Sequence, residues 1–169
     1  MSTRDPRTTR TMRGFTLIEV LIAVLVLAIG LIGLAGIQAG GLQMNDSAYM
    51  RSQASILAQD IADRARANTR GFRNGAYDDP SAGITSSCET RDGCTAKEMA
   101  QTDVKVWQDS VAALLPDGEG TICRDGNSPD SGSSASSPAC NGGEYVVKIW
   151  WTDDRSGDLQ RFVTEVRPL

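Results

Sequence analysis

The sequence predicts an α+β protein, in which one long N-terminal helix packs its second half on a small antiparallel β-sheet. Three observations carry this expectation. An unbroken apolar run from Phe15 to Ile37 passes into a segment of helical period. The C-terminal residues alternate apolar and polar on either side of a turn, the pattern of a hairpin. Between them lie turn-rich stretches that hold all four cysteines, Cys88, Cys94, Cys123 and Cys140. A length of 169 residues favours a single globular head on this helix.

The chain begins with a basic leader, residues 1–14. Arg4, Arg7, Arg10 and Arg13 stand against Asp5, a local +3, so the net charge of −4 leaves −7 on everything that follows. Residues 15–37 then read as the transmembrane half of the helix. They contain one charge, Glu19, and no Pro. Such a run, if helical, rises about 35 Å, enough to cross a bilayer core of about 30 Å. The basic leader stays on the cytoplasmic side, which places the chain beyond Ile37 outside the cytoplasm. A secretory signal would have a shorter apolar region ending in a small-residue cleavage site. A plain anchor would leave Glu19 unexplained, because a carboxylate at membrane depth costs about 2.5–3.5 kcal/mol and usually marks function. Gly30, Gly33, Gly36, Gly40 and Gly41 make a small-residue stretch in which Gly36 and Gly40 have the spacing of close helix packing.

Residues 38–70 continue the helix in the periplasm. Met50, Ala54, Leu57, Ile61 and Ala65 recur at helical steps, with Tyr49 and Ile56 widening the stripe. Arg51, Ser52, Gln59, Asp63 and Arg66 make the polar side, and Gly71 serves as C-cap. The whole helix should be about 80 Å long. The globular head is then 71–169. Its first part, through residue 101, is rich in turns. A short helix is expected over 103–115, capped by Thr102 or Asp103, with Val104, Trp107, Val111, Leu114 and Leu115 on one face and Pro116 as its stop. Residues 117–143, dense in Gly, Ser, Pro, Asp and Asn, read as a long loop. A hairpin over 144–166 closes the chain. Tyr145, Val147, Ile149 and Trp151 share one face of its first strand, while Val146 and Trp150 make the other face apolar as well. Residues 153–158 form its turn.

Composition narrows the chemistry. There is no His, which removes Ser-His and Cys-His catalysis and every His metal site. The acidic balance argues against nucleic-acid binding, which depends on neutralising phosphates. Four cysteines in an exported domain suggest two disulfides. Three pairings are possible, and the local one, Cys88–Cys94 with Cys123–Cys140, is expected. Intervals of 5, 28 and 16 residues lack the close pairs of a zinc site. Asp125, Gly126, Asn127 and Asp130 lack the spacing and closing Glu of a calcium loop. Asp153 and Asp154 are adjacent in a turn, so they do not read as a catalytic carboxylate pair. No metal, cofactor or enzymatic activity is expected.

Arg13-Gly14-Phe15-Thr16-Leu17-Ile18-Glu19-Val20 resembles the class III signal of type IV prepilins and type II secretion pseudopilins. The resemblance implies the type IV pilin fold, cleavage by prepilin peptidase between Gly14 and Phe15, methylation of the new Phe15 amine, and an assembly role for Glu19 toward the amine of a neighbouring subunit. The run from Leu57 to Asn68, with Asp60, Arg64, Arg66, Ala67 and Asn68, and the later Trp107 to Pro116 stretch are similar to PilV-type minor pilins. That further likeness implies a subunit of the inner membrane, single-pass with its head in the periplasm. It would join other minor pilins and the major pilin, together with a tip adhesin. The group primes pilus assembly and ends at the pilus tip, supporting adhesion and twitching motility. A minor pseudopilin of a type II secretion system is the alternative.

Overall fold

The computed structural model describes residues 14–80, 82–126, 129–153 and 157–167. The chain forms two compact units, Met1–Leu42 and Gln43–Leu169. Helix α1, Leu17–Ala67, belongs to both. In the first unit its described side chains are all exposed, and this stretch is long and apolar enough to cross a membrane.

In the second unit α1 buries Ala54, Leu57, Ile61 and Ala65, with Met50 packed at the margin of the core. Ala58 and Ala62 are buried beside them. Two residues assigned to this stripe lie elsewhere: Tyr49 and Ile56 are exposed. Each is displaced by about 100° per residue from the buried line, so the face against the sheet is narrower than the sequence suggests. Gly71 does not cap α1. The helix ends at Ala67, and Gly71 lies inside a second short helix, α2, Thr69–Arg73. A Cβ at Gly71 would sit 2.5 Å from the Asn68 side chain and 2.9 Å from the Ala96 carbonyl, so glycine is demanded by close approach.

Helix α3 runs Ala96–Leu114, beginning seven residues before the expected start at 103. Thr95 and Glu98 form a reciprocal capping box there, in the capping role expected of Thr102 or Asp103. Thr102 is instead buried, and its hydroxyl accepts from the Thr85 amide at 3.1 Å. Val104, Trp107 and Val111 face the core as expected, whereas Leu114 is exposed and Leu115, beyond the helix, is buried. Trp107 is the centre of this packing. Its indole Nε1 donates to the Leu57 carbonyl at 2.8 Å, and its ring lies where a Cβ on Gly120 would be, 2.5 Å away.

The sheet has three antiparallel strands in the order β1-β2-β3: β1 Glu119–Arg124, β2 Tyr145–Thr152 and β3 Leu159–Val166. The hairpin β2–β3 matches the expected pattern; within its turn, residues 154–156 lie outside the described residues, as does Asn127. The expected loop 117–143 needs correction, because its first part is a strand. Glu-Gly-Thr-Ile-Cys-Arg has only two apolar residues in succession, and its pairing with β2, not its composition, makes it a strand.

The remainder of that loop covers the sheet. Tyr145, Val147, Ile149 and Trp151 of β2 face the α1 core, as predicted. On the opposite face Val146, Lys148 and Trp150 are buried too. The described residues of this segment, 125–126 and 129–142, form a lid that meets Lys148 through Asp125, Ser131 and Pro138. Lys148, with no exposed surface, donates through Nζ to Asp125 Oδ2 at 2.5 Å, to the Ser131 carbonyl at 3.0 Å and to the Pro138 carbonyl at 2.7 Å. These three contacts use every donor of the ammonium. Arg161 Nη1 donates to the Gly132 carbonyl at 2.8 Å, and the Ala135 amide donates to Glu119 Oε2 at 3.0 Å. The disulfides are Cys88–Cys94 and Cys123–Cys140, and the second ties the lid to β1.

Removing one partner of a buried pair leaves an uncompensated charge. Lys148→Met is therefore expected to cost about 3–5 kcal/mol, read as a shift in denaturant unfolding of the full chain in detergent, while adding Asp125→Leu recovers much of the loss. A change below about 1 kcal/mol, the level of an exposed pair, would mean that the lid is held by other contacts.

Candidate functional site

Two regions concentrate polar chemistry. The first is the start of α1. Gly14, Phe15 and Thr16 precede the helix, and Phe15 is 84% exposed. Thr16 caps the first turn: the Glu19 amide donates to its carbonyl at 3.1 Å and to its hydroxyl at 3.4 Å, and the Val20 amide donates to its carbonyl at 3.3 Å. Glu19 thus stands in the first turn, where the helix dipole favours an anion. Phe15, Glu19, Val20, Ala23, Val24 and Leu27 line one shallow concavity. Among the described residues no Lys or Arg pairs with Glu19, and none occurs between Phe15 and Ile37. The segment therefore shows an apolar surface carrying one carboxylate beside the Gly14–Phe15 peptide.

The second region is the joint where α1, α2 and α3 meet. Arg64 Nε donates to both oxygens of Asp60 at 3.1 Å, and Arg64 Nη1 lies 3.8 Å from Asp103. Tyr77, fully buried, donates through its hydroxyl to Asp103 Oδ2 at 2.5 Å. Asn68 does three jobs. Its Oδ1 accepts from the Gly71 amide at 3.1 Å, and its Nδ2 donates to the Ala96 carbonyl at 2.7 Å and to the Tyr77 hydroxyl at 3.3 Å. Arg66 pairs with Asp63 at 2.7 Å and donates through Nε to the Arg167 carbonyl at 3.2 Å. The run from Asp60 to Asn68 is therefore a fastening for the head. Arg64, Ala67, Asn68, Cys94, Met99 and Asp103 line a small cleft at this joint.

The matches to known families follow the same division. Residues 9–35 match the prokaryotic N-terminal methylation motif, and residues 36–105 match the type IV pilin Tt1218-like model. The chain is a type IV pilin-like protein. The first match covers the Gly14–Phe15–Glu19 segment, and the second runs from the glycine-rich stretch through the joint into α3. Comparison with the curated proteins and with the solved structures returns no match. In this pilin-like chain the first turn of α1 is exposed, and its last turns are bonded to α2, α3 and Tyr77.

Sequence reasoning passed over the Lys148–Asp125 pair and Tyr77. The first had a signal, a single charge in a strand apolar on both faces. Tyr77 had none, because its partner Asp103 lies 26 residues away.

Burial raises the Asp103 carboxyl above the usual carboxylate range, with the nearby Asp60 adding to the effect, against the opposing Tyr77 hydrogen bond and Arg64 charge. Tyr77 is raised as well, by burial first and by its hydrogen bond to Asp103 next. A carboxyl raised on folding favours the protonated native state, so its contribution is full below the unfolded value of about 4 and is lost as pH rises through the folded value. Tyr77 likewise contributes stability below about pH 10 that is lost above it. Asp103→Asn is expected to flatten the fall in melting temperature from about pH 4 upward, and Tyr77→Phe to flatten the alkaline fall. Unchanged profiles would show that neither group is linked to folding.

Proposed function

We propose that this chain is a minor pilin of the PilV type. It is made as a prepilin, cut between Gly14 and Phe15, methylated at Phe15, and built with other pilins into the complex that primes a pilus, ending at the tip. The observation that carries the proposal is Glu19: a carboxylate with no cation available among the described residues, on an exposed apolar helix, four residues after the position that becomes the amino terminus. Removing the leader takes away the +3 segment and creates one cation at Phe15. A subunit then offers one cation and one anion on the same concave surface. Stacking with an axial offset pairs the Glu19 of one subunit with the amine of the next and offsets the cost of burying both. Prepilin peptidase, other minor pilins, the major pilin, a tip adhesin and the inner membrane are the partners this reading requires. No residue is assigned a catalytic role, and the head's polar clusters are read as structural fastenings.

The test is intact mass and N-terminal sequencing of the protein from inner membrane and from sheared pili. A chain starting at methylated Phe15 in sheared pili supports the proposal. A processed chain confined to the cell envelope favours a pseudopilin of type II secretion, and an uncut chain means a plain anchor. Glu19→Ala is expected to be cut normally yet to fall at least about tenfold in the sheared fraction, consistent with losing a pairing of about 1.4 kcal/mol or more. Normal incorporation of that variant removes Glu19 from assembly.

A further inference from the structure

The two disulfides sit in unlike surroundings. Cys88 and Cys94 are both half-buried and close a short loop with five residues between them. Cys123 has no exposed surface, and its partner Cys140 is half-buried in the lid. Thiol–disulfide exchange needs access to one sulfur and a place for the negative charge that develops on the other.

At Cys88–Cys94 both are present. Cys94 lines the cleft at the joint, beside Arg64, Asn68 and Met99, whereas Cys88 does not. Cys88 Sγ instead accepts from the Thr102 hydroxyl, 3.7 Å away. That hydroxyl is buried and accepts from the Thr85 amide at 3.1 Å, which leaves its proton for the sulfur. A thiolate formed at Cys88 is therefore met by a donor already in place. At Cys123 the reverse holds. Among the described residues no hydrogen bond reaches its sulfur, so a thiolate left there would be a buried, unpartnered anion. The fold around the two bonds differs as well. The start of α3 is held independently of Cys94, by the Thr95–Glu98 box and by Asn68 Nδ2 on the Ala96 carbonyl at 2.7 Å. Cys123–Cys140 closes a longer loop and ties the lid over β2.

We propose that Cys88–Cys94 is a thiol-exchange site, opened by a partner that carries two thiols, while Cys123–Cys140 stays closed. The partner's first thiolate enters the cleft and bonds to Cys94 Sγ. The Cys88–Cys94 bond breaks, and its electron pair leaves on Cys88 Sγ, where Thr102 donates to it. The partner's second thiolate then attacks the partner sulfur of the mixed disulfide and expels Cys94 as a thiolate. Both cysteines take protons from water. The protein disulfide is thereby reduced by two electrons, and the partner is oxidised to a disulfide. Two thiols are required because the loop is short. Cys88 stays close to Cys94, displaces a lone thiol and closes the bond again. A disulfide of the same partner class runs these steps in reverse and restores the loop. The inference uses residues of the head alone and does not depend on Glu19 or on cleavage of the leader.

The probe is dithiothreitol acting on the folded full chain in detergent. Freed thiols are blocked with iodoacetamide at timed intervals, and each cysteine is read by peptide mass. Cys88 and Cys94 are expected to open at least about tenfold faster than Cys123 and Cys140, with the near-ultraviolet circular dichroism retained. A brief exposure to glutathione, blocked in the same way, is expected to leave glutathione on Cys94 and the block on Cys88. Thr102→Val removes the donor and is expected to slow opening of Cys88–Cys94 roughly two- to tenfold, while Thr102→Ser keeps the hydroxyl and the parent rate. Neither variant is expected to change the rate at Cys123–Cys140. Equal opening of the two disulfides, faster opening at Cys123–Cys140, or glutathione on Cys88 overturns the proposal. Loss of the near-ultraviolet signal when Cys88–Cys94 opens also overturns it, because the bond is then structural. A parent-like rate in folded Thr102→Val overturns the role given to Thr102. If that variant does not fold, the parent's rates and the position of glutathione still decide.

Discussion

β2 has no face left for water. Seven of its eight residues are buried, and the residues on its two sides belong to different packing problems. Tyr145, Val147, Ile149 and Trp151 need α1 and α3 above them. Val146, Lys148 and Trp150 need a cover below, and among the described elements no second helix provides one. A polar segment does so instead, and it can because one of the covered residues is charged. The Lys148 ammonium gives the lid's carbonyls and Asp125 a single point to converge on, so backbone that would otherwise be buried unsatisfied is bonded. The Cys123–Cys140 disulfide limits how far the same segment can stray when the chain unfolds. A buried ammonium is expensive to desolvate, and here its cost is offset by three well-placed acceptors and not by apolar packing.

The other side of the sheet depends on a close approach. Trp107 reaches across to the Leu57 carbonyl, and its ring occupies the space above Gly120. Helix, helix and strand are thereby fixed by one side chain, with Asn68 and Tyr77 tying the ends of the same helices through hydrogen bonds. Two disulfides and these polar fastenings add to the hydrophobic core in holding the head together.

The membrane-length part of α1 follows other rules. None of its described side chains between Gly14 and Gln38 is buried within the chain. Its sequence is therefore shaped by what surrounds the molecule, and Glu19 stands out because nothing within the described fold accounts for it. In the head, by contrast, nearly every charged residue at the joint has an internal partner, which is why Arg64 and Arg66 belong to the architecture.

The sequence by itself determined whatever depends on local period or on a residue's cost in a fixed solvent. The apolar run, the charge step at its start, the isolated Glu19, the buried line Ala54–Leu57–Ile61–Ala65 and the β2–β3 alternation were all legible, because helix and strand periods write them directly into the order of residues. Only the tertiary structure decided the rest. β1 is a strand because β2 lies beside it, position 71 demands glycine because Asn68 and Ala96 crowd it, and Tyr49 and Ile56 are exposed because they lie off the line of α1 that the core covers. Lys148 became a core residue because acceptors from three separate positions meet it. Each of these depends on contacts between residues far apart in the chain, whose geometry no local pattern encodes.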